Sequence, residues 1–459
     1  MYQVDFHKPL HLHFIGIGGI SMSGLAEILL QEGFRISGSD SQDTDLTKKL
    51  TDLGAEIVIG QKAENIKPGI DAVIYTAAIH PDNPEFKAAK DANVPMLTRA
   101  QLLGEIMRNY ELPIAVSGTH GKTTTTAMVS HILLAGGLDP TISIGGILPS
   151  IGGNIRVGHS GTFVAEACEY TNSFLSFFPK ISLILNVDAD HLDFFKDIDD
   201  IANSFHKFAA LLPEDGTLII DKDTPKYPVV VKDITCEILT YSMKDSKADY
   251  TASGISYDDH GCGTFTCMEK GKPLGTFSLN VPGAHNISNA LASIALGRKT
   301  GLSYEQIAEG LKSFQGTDRR FEYKGKVNGV TIIDDYAHHP TEIAATLTAA
   351  KQYPHKSIWV AFQPHTYTRT KALLPEFADA LSKADHIVLA DIYAAREKNT
   401  IGISSDDLRK EIAKKGTDVR YFSSFSEIED YLKKNCVDGD LLITMGAGSI
   451  TNIASDLLK

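Results

Sequence analysis

At 459 residues the chain is longer than one hydrophobic core organises, so two or three domains are expected. Apolar residues at 43% and charged residues at 22% are the balance of a globular chain able to bury sizeable cores. The formal net charge of -13 excludes a general nucleic-acid or membrane-surface binder, because phosphate backbones reward clustered Lys and Arg, and leaves room only for local basic pockets.

The first ten residues, M-Y-Q-V-D-F-H-K-P-L, hold no basic segment leading into an apolar stretch. No later run reaches the roughly 18 apolar residues of a spanning helix, so a cytoplasmic location is expected. From there, β-strand and helix signals alternate without repeats, which reads as parallel α/β units. The first block has strands in L-H-F-I-G-I-G-G at 12–19, F-R-I-S-G-S-D at 34–40, A-E-I-V-I-G at 55–60 and D-A-V-I-Y-T-A-A at 71–78, and ends near 110.

The second block opens with I-A-V-S-G-T at 114–119 and continues through T-F-V-A-E-A at 162–167, I-S-L-I-L-N-V-D at 181–188 and T-L-I-I-D at 217–221. A β-hairpin-like stretch follows around 248–281, and the helix after A-H-N-I-S-N-A-L-A-S closes the block near 316. The third block has strands at V-T-I-I-D-D, 330–335, S-I-W-V-A-F, 357–362, H-I-V-L-A-D, 386–391, and L-L-I-T-M-G, 441–446. The expected division is 1–110, 111–316 and 317–459: an α/β chain of three domains, Rossmann-like, P-loop-type and Rossmann-like. Open parallel sheets bind ligands at the carboxyl ends of their strands, so three binding edges are expected.

The glycine cluster from Gly16, G-I-G-G-I-S-M-S-G-L-A, follows a strand and precedes a helix, as a dinucleotide or nucleotide-diphosphate seat requires. Ser21 replaces the third glycine of G-x-G-x-x-G, and Asp40, ending the second strand, is placed to meet a ribose hydroxyl. A structural glycine turn explains the cluster equally well, and NAD and another nucleotide diphosphate both remain open.

S-G-T-H-G-K-T-T-T-T at 117–126 carries more chemistry, although only Thr119 and His120 separate its two glycines where a Walker loop has four residues. Its amides can cradle phosphate oxygens, Lys122 can neutralise them and Thr123 can ligate Mg²⁺. Glu166 ends one strand in A-E-A-C-E-Y, and D-A-D-H-L-D follows another, so carboxylates and an imidazole at adjacent strand ends could hold a hard cation. Taken singly, each of these acids is more often a solvated loop residue. His338 and His339 lack the companions of a zinc site and are read as substrate or nucleotide contacts, and Arg320 reads as a phosphate contact or an interdomain ion pair. The five cysteines make no disulfide framework, and Cys168, among acids, is not expected to act as a nucleophile.

In order, G-T-H-G-K-T-T, E-A-C-E-Y, N-V-D-A-D-H-L-D, H-N-I-S-N-A, D-R-R-F-E, D-D-Y-A-H-H-P and F-Q-P-H-T-Y-T-R-T resemble the Mur ligase family over nearly the whole chain. The resemblance implies an ATP-dependent amide ligase of peptidoglycan precursor synthesis, with UDP-N-acetylmuramate and L-alanine as partners. It implies Lys122, Glu166, His191 and Arg320 as catalytic residues, and Thr123, Glu166 and His191 as Mg²⁺ ligands. ATP is assigned Gly118, Thr119, His120, Gly121, Lys122, Thr123, Thr124, His285, Asn289, Arg320 and Asp335. The UDP-sugar is assigned Gly18, Gly19, Ile20, Ser21, Asp40 and Thr76, and the amino acid Tyr336, His338 and Arg369.

Thr366 stands where many members have Arg, which shifts carboxylate recognition toward Arg369. Ala337, in place of a Gly common in the alanine-adding branch, keeps a tripeptide-recycling ligase as the alternative reading. A nicotinamide-dependent oxidoreductase ranks lower, since it leaves the Gly118 loop and the third block unexplained, and a non-catalytic nucleotide-binding regulator is the fourth reading. The separation of the Gly118 loop from Arg320 and Arg369 along the chain predicts a site completed by closure of the third domain. No oligomeric state follows from the sequence.

Overall fold

Short apolar runs become central strands here because both faces of each sheet are covered by helices, so Leu12, Phe14 and Ile15 are as fully buried as Ile114, Ala115 and Val116. The computed structural model describes residues 2–76, 78–395 and 397–459 and contains three separate sheets.

The first sheet comprises β1 (His11–Ile15), β2 (Arg35–Asp40), β3 (Glu56–Ile59), β4 (Ala72–Tyr75) and β5 (Met96–Thr98), parallel throughout in the order β3-β2-β1-β4-β5. The order reverses at β1, so the glycine turn between β1 and the helix Ile20–Gln31 lies at the switch point where such sheets bind ligands.

The second sheet has ten strands: β6 (Leu112–Ser117), β7 (Thr141–Leu148), β8 (Gly153–Arg156), β9 (Thr162–Glu166), β10 (Ile181–Ile184), β11 (Thr217–Asp221), β12 (Glu237–Ser242), β13 (Tyr250–Tyr257), β14 (Cys262–Glu269) and β15 (Lys272–Pro282). Their order is β15-β14-β13-β12-β11-β10-β6-β9-β7-β8. β6 lies between β9 and β10 with Val116 beside Glu166 and Ser117 beside Ile184, so the loop leaving β6 emerges between the acidic end of β9 and the segment after β10 that carries Asp188 and Asp190. The expected hairpin is a three-stranded antiparallel meander, β13 to β15, that widens the sheet.

The third sheet is β16 (Glu322–Val327), β17 (Val330–Asp335), β18 (Ile358–Phe362), β19 (His386–Leu389), β20 (Asp418–Tyr421) and β21 (Leu441–Met445), ordered β16-β17-β21-β18-β19-β20, with only β16 antiparallel. Asp335 and Phe362 both pair with Met445, so the loops leaving β17 and β18 come out two strands apart on one edge.

The cores join these sheets unequally. One apolar cluster runs from Phe14 and Leu25 through Leu102 and Ile106 to Phe163, Phe174 and Phe205, fusing the first sheet to one face of the second. Gly104 is part of that seam, because a Cβ there would sit 1.9 Å from the Ser176 carbonyl oxygen. The two clusters of the third sheet, around Ile333 and Val360 and around Trp359 and Leu442, draw their buried members from that unit alone. The C-terminal unit therefore shares no core cluster with the rest and is attached through polar side chains, the His260–Tyr353 ring contact and the segment around Gly316. No described helix is long and apolar enough to cross a membrane.

Candidate active site

The phosphate-type loop is short because its two middle residues are stapled to the segment after β10. Thr119 donates its amide to the Asn186 carbonyl (3.2 Å), and the Asp188 amide donates to Thr119 Oγ1 (2.9 Å). The His120 amide donates to Asn186 Oδ1 (2.8 Å), and Asn186 Nδ2 returns a bond to the His120 carbonyl (3.0 Å). Two of the expected phosphate-binding amides are thus committed to Asn186. The helix Lys122–Ala135 follows, and the first amides of any helix lack intrahelical partners, which suits an anion. Gly121 turns into it at φ +82, where a side chain is strained, and a Cβ would also stand 2.8 Å from Asn289 Oδ1.

Lys122 points back over the loop. Its Nζ donates to the carbonyls of Gly118 (2.6 Å) and Thr119 (2.9 Å) and lies 3.0 Å from Glu169 Oε2. Burial by itself lowers a lysine, but Glu169 outweighs it and holds this ammonium above the ordinary lysine range. Next to it, burial and then Glu169 push the Cys168 thiol up to about 11, which makes it a poor nucleophile, as expected from its acidic neighbours.

Glu166 accepts from Thr123 Oγ1 (3.0 Å) and from the Gly145 amide (2.8 Å), both at Oε2. Gly145 permits this, since a Cβ there would lie 2.7 Å from the carboxylate. His191, at φ +53, stacks on Tyr170 with centroids 4.4 Å apart and places Nε2 3.8 Å from both Glu169 and Asp190. The sequence pairs His191 with Glu166; the structure puts Glu169 and Asp190 beside it.

A cavity of about 430 Å³ opens beside the loop, between the second and third units. Gly121, Thr124, His285, Asn289, Arg320 and Asp335, all assigned to ATP from the sequence, face it together. His285 is exposed to this cavity; enclosure by the surrounding wall, and then Arg320, push its imidazole down to about 4. Asp335 is 5% exposed and accepts from the amides of Ala337 (2.7 Å) and Phe321 (2.9 Å). Burial pushes its carboxyl up to about 6 against those bonds and against Arg320. Of the two neighbouring arginines, Arg319 is spent on Asp334 (3.1 Å) and the Gly446 and Gly448 carbonyls, whereas Arg320 lines the cavity.

The residues assigned to the amino acid gather at the same edge. Arg319 and Arg320 lie 4.9 and 5.0 Å from the centroid of the Tyr336 ring, and His338 packs against Tyr336 at 5.2 Å and His365 at 5.6 Å. Arg369 reaches across to the central unit: Nε and Nη2 lie 3.1 and 2.8 Å from Asp190 Oδ1, and Nη1 lies 3.2 Å from His365 Nδ1. Its fork is therefore occupied by a protein carboxylate rather than open to a substrate.

At the first sheet, Asp40 ends β2 half-buried beside the glycine turn. It accepts from the Gly18 amide (2.8 Å) and shapes the turn that holds Gly19, Ile20 and Ser21. Thr76 caps its own turn by accepting from the Ala78 amide (3.2 Å). Glu169, Asn186, Asp188, Asp190 and Glu342 were missed as individual residues, although four of them lie inside the quoted motif stretches and only their spatial partners reveal the roles.

Three family profiles match the chain: "Mur ligase family, catalytic domain" over residues 11–111, "Mur ligase middle domain" over 116–297, and "Mur ligase, glutamate ligase domain" over 319–448. The UDP-N-acetylmuramate--L-alanine ligases of Agathobacter rectalis and Lachnospira eligens are 62% and 60% identical over 459 residues, covering 100% of both chains in each case. Among solved structures, the UDP-N-acetylmuramate-alanine ligase of Thermotoga maritima superposes with a TM-score of 0.80 at 29% identity, and the murein peptide ligase of Psychrobacter arcticus with 0.71 at 26%; each comparison covers 98% of both chains.

Proposed function

The chain belongs to the Mur ligase family, and from that premise we propose that it joins L-alanine to the carboxylate of UDP-N-acetylmuramate at the expense of ATP, in peptidoglycan precursor synthesis. The observation that carries this is the meeting, on one loop, of the nucleotide-sized cavity at Gly121 with Lys122 and the Thr123–Glu166 pair, in a chain matched end to end by alanine ligases.

A carboxylate resists attack by an amine, so the reaction first installs a leaving group. The muramyl carboxylate attacks the γ-phosphorus of ATP, ADP departs, and the amine of L-alanine attacks the acyl phosphate carbon with release of phosphate. The chain's own part is to collect the charge that gathers on the transferring phosphoryl group. Lys122 supplies a fixed ammonium from the loop and Arg320 a guanidinium from the third unit. His285, Asn289 and Asp335 line the nucleoside part of the cavity. Neutral His285 can both donate and accept.

Thr123 and Glu166 bring a hydroxyl and a carboxylate together, and Glu166, which among the described residues accepts from the neutral Gly145 amide and Thr123 hydroxyl, fits a hard divalent ion, whereas His191, assigned to the same ion, stands beside Glu169 and Asp190. Mg²⁺ bound there would neutralise phosphate charge. The turn at Gly18–Ser21, with Asp40 behind it and Thr76 on the neighbouring strand, is assigned to the UDP pyrophosphate and uridine. The amino acid is assigned to the edge carrying Tyr336, His338 and Arg369. Domain limits at 1–110, 111–316 and 317–459 fit the three sheets. The absence of any described helix able to span a membrane is consistent with a cytoplasmic enzyme, and Asp335 and Arg320 facing one cavity support completion of the site by the third unit.

The test is phosphate release from ATP in the presence of UDP-N-acetylmuramate, with L-alanine or L-alanyl-γ-D-glutamyl-diaminopimelate as the second substrate. Release with alanine supports the reading. Release only with the tripeptide replaces it by the recycling ligase; the chain superposes less well on the murein peptide ligase, at 0.71, than on the alanine ligase, at 0.80.

A further inference from the structure

The phosphate-loop side chain of His120 does not face the cavity alone. Its Nε2 lies 3.1 Å from Asp188 Oδ2 in the central unit, and its Nδ1 lies 3.2 Å from Glu342 Oε1 in the C-terminal unit. Carboxylate oxygens only accept, so the ring donates from both nitrogens and is an imidazolium. A second bond crosses the same seam, from Thr341 Oγ1 to Asp188 Oδ2 (2.7 Å).

His339 packs against His120 with centroids 4.8 Å apart and rings tilted by 37°, and the ligand atoms of His120, Asp188 and His339 lie within 4.8 Å of one another, close enough for a metal. The hydrogen bonds argue otherwise. His339 Nε2 faces the Ala189 carbonyl (3.1 Å) and so donates, while its Nδ1 accepts from the Thr341 amide (3.3 Å). No ring nitrogen of the trio keeps a lone pair for an ion, and the cluster is complete as a clasp.

Glu342 carries the clasp onward. Its other oxygen accepts from the His338 amide (3.1 Å), and His338 Nδ1 lies 3.3 Å away, so one carboxylate fixes both the phosphate loop and the segment assigned to the amino acid. Because the C-terminal unit has its own core, these polar bonds contribute to how it docks, together with the Arg369–Asp190 pair and the His260–Tyr353 ring contact.

We propose that His120 and Glu342 are positioning residues that couple the filling of the phosphate loop to the shape of the amino-acid site. Nucleotide seated on the loop acts on the same segment that presents His120 to Glu342, which holds His338. Coupling of this kind is reciprocal, so amino acid bound near His338 strengthens nucleotide binding equally.

The inference rests on the ligase reading, and the experiment separates the two. Wild type, His120→Asn, Glu342→Gln and the double variant are compared by L-alanine KM and kcat, by the ratio of L-alanine affinities with and without a non-hydrolysable ATP analogue, and by radius of gyration without ligand. The wild-type ratio is expected on the order of tenfold and to fall toward one in each variant. KM is expected to rise more than kcat falls, and the double variant to be no worse than the worse single one. The unliganded variants should also be more extended than wild type. Additive losses, or an unchanged ratio and radius in active variants, overturn the coupling. Absence of alanine-dependent release in wild type overturns the ligase reading instead, and leaves the radius comparison to decide whether the clasp exists. Should His120→Asn unfold, Glu342→Gln alone gives the ratio and the radius.

Discussion

Lys122 and Glu169 form a nearly dry ion pair, 3.0 Å apart with side chains 14% and 2% exposed, directly over the loop proposed to receive phosphate. The ammonium is thereby kept charged and aimed before any nucleotide arrives. Glu169→Gln leaves that charge without its carboxylate, at a cost on the order of 3 kcal/mol for a broken buried pair. Phosphates supply the missing anion, so an ATP analogue is expected to stabilise Glu169→Gln by more than it stabilises wild type. Urea midpoints with and without analogue measure this, and equal ligand-induced shifts would count against Lys122 as the phosphate-facing cation.

Gly145→Ala tests the second half of the site without touching a functional group. The added methyl stands 2.7 Å from the Glu166 carboxylate and must push it off Thr123 Oγ1. Phosphate release is expected to fall roughly a hundredfold, the scale of losing one preorganised electrostatic contact. The Mg²⁺ concentration for half-maximal rate should rise with it. Unchanged Mg²⁺ dependence would remove Glu166 from the cation site.

How much of this was legible in the sequence differs from element to element. β6, β10, β17 and β18 announce themselves as mostly apolar runs because they are covered on both faces, with I-W-V-A-F of β18 uninterrupted and single small polar residues, Ser182 and Thr331, inside β10 and β17. β5 is three residues, β8 and β20 are four each, and β16 reads E-Y-K-G-K-V with polar residues throughout, as an edge strand should; none has a run to find. Motif order located the cavity wall at Gly121, His285, Asn289, Arg320 and Asp335, since strand ends in parallel sheets converge. Partner choice was not legible. Glu169 rather than Glu166 beside His191, and Asp190 rather than a substrate carboxylate on Arg369, depend on side-chain directions set by turns such as the one at His191.

Asp221 ends β11 inside the cavity wall and has no cation among its hydrogen-bond partners; burial pushes its carboxyl up to about 6. The folded state therefore binds the proton more tightly than the unfolded chain, whose carboxyl titrates near 3.8. Stability contributed here is lost as pH rises from about 4 through about 6, and the penalty is complete above that. Asn at this position still accepts the Asp223 amide through its carbonyl oxygen and carries no charge. Asp221→Asn is expected to be more stable than wild type at pH 8, by about 1 to 2 kcal/mol after allowance for partial exposure, and equal to it at pH 4. Denaturant titrations at the two pH values decide, and a gain of equal size at both would assign the effect to packing instead.

Asp190 and Arg369 pose a choice between two roles for the arginine. If Arg369 grips the carboxylate of the amino acid directly, Asp190 competes with substrate, and Asp190→Asn should lower the KM for L-alanine. The geometry supports the other role. Nε and Nη2 both point at one Asp190 oxygen, that same oxygen accepts the His191 amide at 2.7 Å, and the two side chains are 10% and 8% exposed. The pair thus ties the β18 edge of the third unit to the backbone of His191. Removing one charge of so dry a pair costs on the order of 3 kcal/mol, of which about half appearing in substrate binding is a tenfold change. Asp190→Asn is therefore expected to raise the KM for L-alanine about tenfold and, through His191, to raise the Mg²⁺ requirement as well. A fall in KM with unaltered Mg²⁺ dependence would return Arg369 to direct contact with the amino acid.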